Sequence, residues 1–153
     1  MADWKKMSRR DKNAVWRYYG MEEMLKPERA ARAPRTGPSE HQLQAAVIQW
    51  WRLAHTHYSV PEFVLFAIPN GGARDAITGS RLKAEGVRRG IPDLMLAVPR
   101  VPLHGLYIEM KLPGNKLTGE QLLFREFVER NGYAHKTCYS SEEAIDAIKG
   151  YLA

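Results

Sequence analysis

Asp93, Glu109 and Lys111 are the residues of this chain whose types and spacing could do chemistry. In Leu106-Tyr107-Ile108-Glu109-Met110-Lys111, the apolar Leu106, Ile108 and Met110 alternate with Tyr107, Glu109 and Lys111, the period of a half-buried β-strand. Glu109 and Lys111 therefore leave one face of that strand, about 6.6 to 6.8 Å apart along it. Asp93 opens the preceding candidate strand. In an antiparallel hairpin directly opposed residues share a face, so pairing Asp93 with Glu109 or with Lys111 gathers two carboxylates and an ammonium group at one spot.

Such a cluster suits phosphodiester hydrolysis, whose transition state adds negative charge to a group that already repels a nucleophile. A hard cation such as Mg²⁺ takes oxygen ligands, and two carboxylates plus a backbone carbonyl hold one while leaving positions for water and phosphate. Lys111 would then orient or help deprotonate the attacking water and stabilise the developing oxyanion. Taken singly, each of the three is better explained by an ordinary surface salt bridge.

The elements that must position these residues are legible from caps and periodicity. Ser39 with Gln42 forms a capping box that starts a helix, and Leu43, Val47, Trp50 and Ala54 recur at helical spacing as its buried stripe. A strand is predicted over Phe63 to Ile68, broken by Pro69-Asn70-Gly71-Gly72. Residues 73 to 91 form a basic connection with a short helix near Ile77 to Glu85. Strands over Asp93 to Val98 and Leu106 to Lys111 follow, joined by a proline-rich turn. Thr118 with Gln121 caps a helix reaching about Asn131, and Gly132 stops it. A strand over Tyr133 to Cys138 leads to a last helix, capped by Ser140 with Glu143 and ending near Leu152. Helix, three strands, helix, strand, helix is an α/β order with a mixed sheet.

The chain has 153 residues, enough for one domain with a real core plus an appendage. Its 44% hydrophobic and 26% charged content fits a globular protein and excludes a wholly disordered or membrane chain. The apolar runs are too short to span a bilayer, and the first residues lack a signal peptide's apolar stretch, so a cytoplasmic location is expected. Cys138, the single cysteine, rules out an intrachain disulfide or a cysteine-based zinc cluster and fits a reducing compartment. A formal net charge of +6 favours a polyanionic partner such as DNA, although many basic proteins are basic for solubility alone. Residues 1 to 38 carry ten Lys or Arg against five acids, so most of that charge lies in a leading basic arm. The arm is expected to be partly disordered or to form a short helix, and to end in Ala-Arg-Ala-Pro-Arg-Thr-Gly-Pro before a domain over 39–153.

Gly90-Ile91-Pro92-Asp93-Leu94 followed by Tyr107-Ile108-Glu109-Met110-Lys111 resembles the PD-(D/E)xK nuclease signature. Together with Glu40, Pro69-Asn70-Gly71-Gly72, Gly86 and Gln121, the ordered set is similar to the virus-type replication-repair nuclease (VRR-NUC) domain, over about Ser39 to Ala153. The resemblance implies a restriction-endonuclease-like fold and dependence on Mg²⁺ or Mn²⁺. It places Asp93, Glu109 and the Met110 carbonyl on the metal, Lys111 on the water, and Glu40 and Gln121 as the additional acid and the helix glutamine. It further implies a homodimer of phage or bacterial type, acting on branched DNA such as four-way junctions or flaps in replication, recombination or repair. A sequence-specific restriction-type endonuclease and a non-catalytic DNA-binding protein on the same fold are the alternatives.

Several assignments have an ordinary structural alternative. Glu40 lies where the helix dipole favours any carboxylate, yet on the stripe of Leu43 and Val47, which favours a role at a metal or its water; a two-metal mechanism, with ions about 3.5 to 4 Å apart, would need it. The capping box alone explains Gln121 as well as an active-site role does. Asn70, Gly71 and Gly72 would let backbone NH groups approach a phosphate, or simply make a turn. Arg74, Arg81, Lys83, Arg88 and Arg89, with Lys116 beyond the catalytic strand, are expected to contact the DNA backbone as a group. His41, His55, His57, His104 and His135 read as structural or surface residues. Trp50 reads as core, with Trp51 covering a flank. The sequence has no P-loop, dinucleotide fingerprint or serine nucleophile elbow, so no nucleotide cofactor is expected.

Overall fold

A computed structural model of the chain describes residues 37–69, 81, 82 and 84–153. Residues 1–36 of the anticipated arm, Asn70 to Gly72, Arg74, Lys83 and most of the helix expected near Ile77 to Glu85 lie outside them. Within Pro38–Ala153, a compact unit, the elements are α1 (Glu40–Ala54), β1 (Leu65–Ala67), β2 (Leu94–Leu96), β3 (Leu106–Met110), α2 (Gly119–Arg130), β4 (Ala134–Cys138) and α3 (Ser141–Leu152). The strands form one mixed sheet in the order β1-β2-β3-β4. β1, β2 and β3 pair antiparallel, whereas β4 runs parallel to β3, a pairing that needs a crossover, here α2.

The caps act as their residue types require. Ser39 Oγ accepts from Gln42 N at 3.2 Å while Ser39 N donates to Gln42 Oε1 at 2.8 Å, satisfying two donors that the first turn of α1 leaves unpaired. Thr118 and Gln121 repeat the arrangement at α2. Gly132, at φ +79°, takes the left-handed conformation just past the α2 C-cap. At α3, Ser140 Oγ accepts from Glu143 N, but the Glu143 carboxylate reaches one residue further back, to Tyr139 N.

One face of the sheet buries Leu65, Leu94, Leu96, Leu106, Ile108 and Met110 against Leu43, Val47 and Trp51 of α1 and Ala144, Ile148 and Leu152 of α3. Trp51, not Trp50, completes the α1 stripe. Adjacent residues sit about 100° apart on a helix, and both rings border the core. The difference is decided by the indole N–H, which when buried needs an acceptor. Trp51 Nε1 finds the Glu62 carbonyl at 2.8 Å, while Trp50 stays half-buried with the Lys149 ammonium 6.0 Å from its ring centroid. The Glu62 carbonyl belongs to a 3₁₀ turn over Glu62–Val64, and for that reason β1 starts two residues later than the alternation predicts.

A second departure concerns β3, expected to be half-buried. Both faces are covered, because α2 packs over the second one, where Phe124 meets Tyr107 edge to face at 5.1 Å. This encloses the polar side of the strand.

Candidate active site

The site lies where β3 ends, against the residue that precedes β2 and the first turns of α1 and α2. Leu94 pairs with Ile108 and Met95 with Tyr107; the same register, continued one residue, sets Asp93 opposite Glu109, the first of the two pairings that the sequence allows. The Asp93 carbonyl accepts from Ile68 N at 2.8 Å, which ties this residue to the end of β1. Its carboxylate turns across the hairpin, and Oδ2 accepts from Met110 N at 2.8 Å. The N–H and C=O of one strand residue share an edge, so the Met110 carbonyl faces the same side as Asp93.

Glu109 is 2% exposed, unusual for a carboxylate. Oε1 accepts from Lys111 Nζ and from Gln121 Nε2, each at 2.6 Å. Oε2 is buried with no hydrogen-bond partner. Burial pushes the Glu109 carboxyl up to about 7, and the negative charges of Asp93 and Glu40 push the same way, against the pull of the Lys111 ammonium. Lys111 is itself largely enclosed, its main-chain N–H donating to the Cys138 carbonyl at 2.9 Å.

Gln121 makes both contacts that the two alternatives would need, one to the helix cap and one to Glu109. Its Oε1 accepts from Thr118 N at 2.9 Å, completing the capping box, while its Nε2 donates to Glu109. An amide has a carbonyl oxygen and an NH₂ group to divide in this way. The cap fixes the side chain, and the fixed side chain holds the carboxylate.

Glu40 reaches the same region from the first turn of α1. Its Oε1 accepts from Leu112 N at 3.1 Å and from Asn115 Nδ2 at 3.3 Å. Asn115 is the residue that sequence reasoning missed. It follows Pro113 and Gly114 in a tight turn, in which Gly114 has φ +84° and Asn115 N bonds back to the Leu112 carbonyl. A Pro-Gly-Asn turn directly after the strand's lysine was the available signal.

Gly90 shows why the Asp93 loop carries a glycine. Its φ is +83°, and an added Cβ would lie 2.6 Å from Glu120 Cβ and 2.8 Å from the Glu120 backbone. Only a residue without a side chain lets the loop bearing Asp93 rest on the helix bearing Gln121.

Among the described residues, no three His, Cys, Asp or Glu side chains come close enough to form a metal site on their own. The donors available to a cation are two carboxylates and a main-chain carbonyl, a set that suits a hard ion. Glu109 fits that demand on its own geometry, since it is a buried carboxylate with one oxygen fixed by two donors and the other lacking any partner. Of the anticipated backbone-binding residues, Arg88, Arg89 and Lys116 are exposed, and Arg81 pairs with Glu85 across one helical turn at 2.8 Å.

The VRR-NUC domain model matches residues 38–142, more than half of the chain and all of Glu40, Asp93, Glu109, Lys111 and Gln121. The chain belongs to the VRR-NUC family. A solved structure described as a VRR_NUC domain protein shares its fold, with a TM-score of 0.60 and 24% identity over 76% of this chain and 90% of that one. No curated protein matches the chain. As a VRR-NUC domain the chain is a nuclease of the PD-(D/E)xK type, acting on DNA, in a family that generally uses divalent metal ions.

Proposed function

We propose that this VRR-NUC domain is an endonuclease that hydrolyses DNA phosphodiesters with Mg²⁺ or Mn²⁺, selecting branched DNA such as four-way junctions or flaps in replication, recombination or repair. The observation that carries the reading is the divided Glu109 carboxylate, whose Oε1 is held by Lys111 and Gln121 while Oε2 lies buried and unpartnered. Asp93, Glu109 and the Met110 carbonyl would hold the ion. The ion supplies charge neutralisation at the scissile phosphate and a more acidic water.

The chain's own residues do the positioning. Gln121 and Lys111 fix the plane of the Glu109 carboxylate, and Met110 N fixes that of Asp93. The Lys111 ammonium, 2.6 Å from Glu109, would orient the attacking water and offset the charge that develops on the phosphate. Glu40, anchored by Leu112 N and Asn115, would hold a metal-bound water or a second ion.

Arg81, Arg88, Arg89 and Lys116, with Asn70, Gly71, Gly72, Arg74 and Lys83, would contact the phosphate backbone. We place the enzyme in the cytoplasm of a bacterial cell or phage-infected host as a homodimer, since twofold symmetry suits paired cuts across a junction. Linear, flapped and four-way labelled DNA, each incubated with Mg²⁺, Mn²⁺ or chelator, tests the function. Metal-dependent cleavage of the branched substrates is expected. Discrete fragments from long perfect duplex would indicate sequence-specific restriction instead, and salt-sensitive binding without products would leave only a DNA-binding protein.

A further inference from the structure

Among the described residues, four buried side-chain polar atoms have no hydrogen-bond partner: Glu109 Oε2, Thr137 Oγ1, and Nδ1 and Nε2 of His135. They are not scattered. β3 and β4 run parallel with Glu109 beside Thr137 and Tyr107 beside His135, so all four atoms belong to one face of two adjacent strands, the face that α2 covers. A buried polar atom without a partner costs roughly 1 to 3 kcal/mol, so several gathered on one face call for a shared explanation.

We infer that Thr137 is a positioning residue for Glu109, its hydroxyl engaging the inner oxygen Oε2 through one bridging water or a small side-chain shift, since the two atoms make no direct bond as they stand. An ionised carboxylate offers about four acceptor sites. Lys111 and Gln121 occupy those of Oε1, which leaves Oε2 with one site for the ion and one for a donor from the sheet. Residues side by side on neighbouring strands have Cβ atoms about 4.5 to 5.5 Å apart, within reach of a hydroxyl directly or through one water. Thr137 is the in-register neighbour of Glu109 and has a hydroxyl with nothing else to bond. His135, two residues along and 6% exposed, continues the polar face. The outer shell around a metal ligand fixes its orientation in this way and commonly changes metal affinity 10- to 100-fold, as an order of magnitude.

The inference rests on the metal-bound reading of Glu109, and the test separates the two. In the full chain, Thr137→Val should weaken Mn²⁺ binding roughly tenfold or more by calorimetry, and Thr137→Ser should restore it. Unchanged affinity in Thr137→Val, or no recovery in Thr137→Ser, would overturn the assignment. A second measurement needs no metal: melting temperatures of Thr137→Val, Glu109→Gln and the double variant, in chelator. Coupled residues give shifts that do not add, whereas additive shifts would show that the hydroxyl does not touch the carboxylate. Non-additive shifts in a parent that binds no Mn²⁺ would keep the contact and sink the metal reading alone.

Discussion

On the face of the sheet packed by α1 and α3, the buried side chains run from Leu43, Val47 and Trp51 through Leu94 and Ile108 to Ile148 and Leu152, and apart from the bonded indole N–H of Trp51 they carry nothing that needs a hydrogen-bond partner. On the face beneath α2, the same strands bury Glu109, His135 and the Thr137 hydroxyl, with four polar atoms unpartnered among the described residues. One fold therefore keeps its stabilising core on one side of a single sheet and most of its candidate site on the other, with Glu40 reaching that site from α1. Strand alternation makes this possible, because neighbouring residues of β3 report to different faces. It predicts that damage to the two faces has different symptoms.

The largest effect should come from Glu109→Gln, which keeps shape and burial but removes the charge. Cleavage should fall by roughly 10³-fold or more, while melting temperature in chelator stays level or rises, since burying this charge is unfavourable. Comparing initial rates with unfolding curves checks both halves; a variant that simply unfolds would break the division of labour. Ile148→Ala should do the opposite. It should lose about 2 to 5 kcal/mol in denaturant titrations, with activity per folded molecule retained.

Gln121→Glu sharpens the comparison further. Glutamate can replace glutamine in the capping box, but it replaces the donor to Glu109 with a second carboxylate. Activity should drop about 10- to 100-fold with little change in helix content; equal activity would mean that the Gln121 contact does not matter to the reaction.

The smallest effect is the pH dependence of stability without metal. Glu109 titrates near 7 folded against 4.5 unfolded. Between these values the native state binds more protons, so stability falls as pH rises through this window, the reverse of a salt-bridged acid. Burial, and after it the Arg125 charge, hold His135 down at about 4 instead of 6.5, so its contribution is lost in the other direction, as pH falls from 6.5 through 4. Melting curves across pH 4 to 8 should show both limbs, and Glu109→Gln should remove only the first.

How much of this was legible follows from the range of each signal. Caps are local, and Ser39, Thr118 and Ser140 mark their helices to the residue. Alternation in β3 announces which side chains share a face, and the hairpin constraint reduced the placement of Asp93 to two registers. What failed needed a distant partner. Choosing Trp51 over Trp50 required the Glu62 carbonyl, eleven residues on; closing the second face of β3 required the position of α2. Gln121 looked like a choice between cap and site because a spacing rule cannot show that one amide can bond both the cap and Glu109, and Asn115 drew no notice because its partner, Glu40, lies 75 residues away.

The contact of Gly90 with Glu120 carries a final consequence. Because backbone rests directly on backbone there, the gap between the aspartate loop and the glutamine helix is set by the thickness of a bare main chain. A single methyl group at position 90 would act as a shim, prying the aspartate loop away from the glutamine helix. Variants surveyed only for altered charge would overlook an uncharged residue that sets how closely the aspartate loop lies against the glutamine helix.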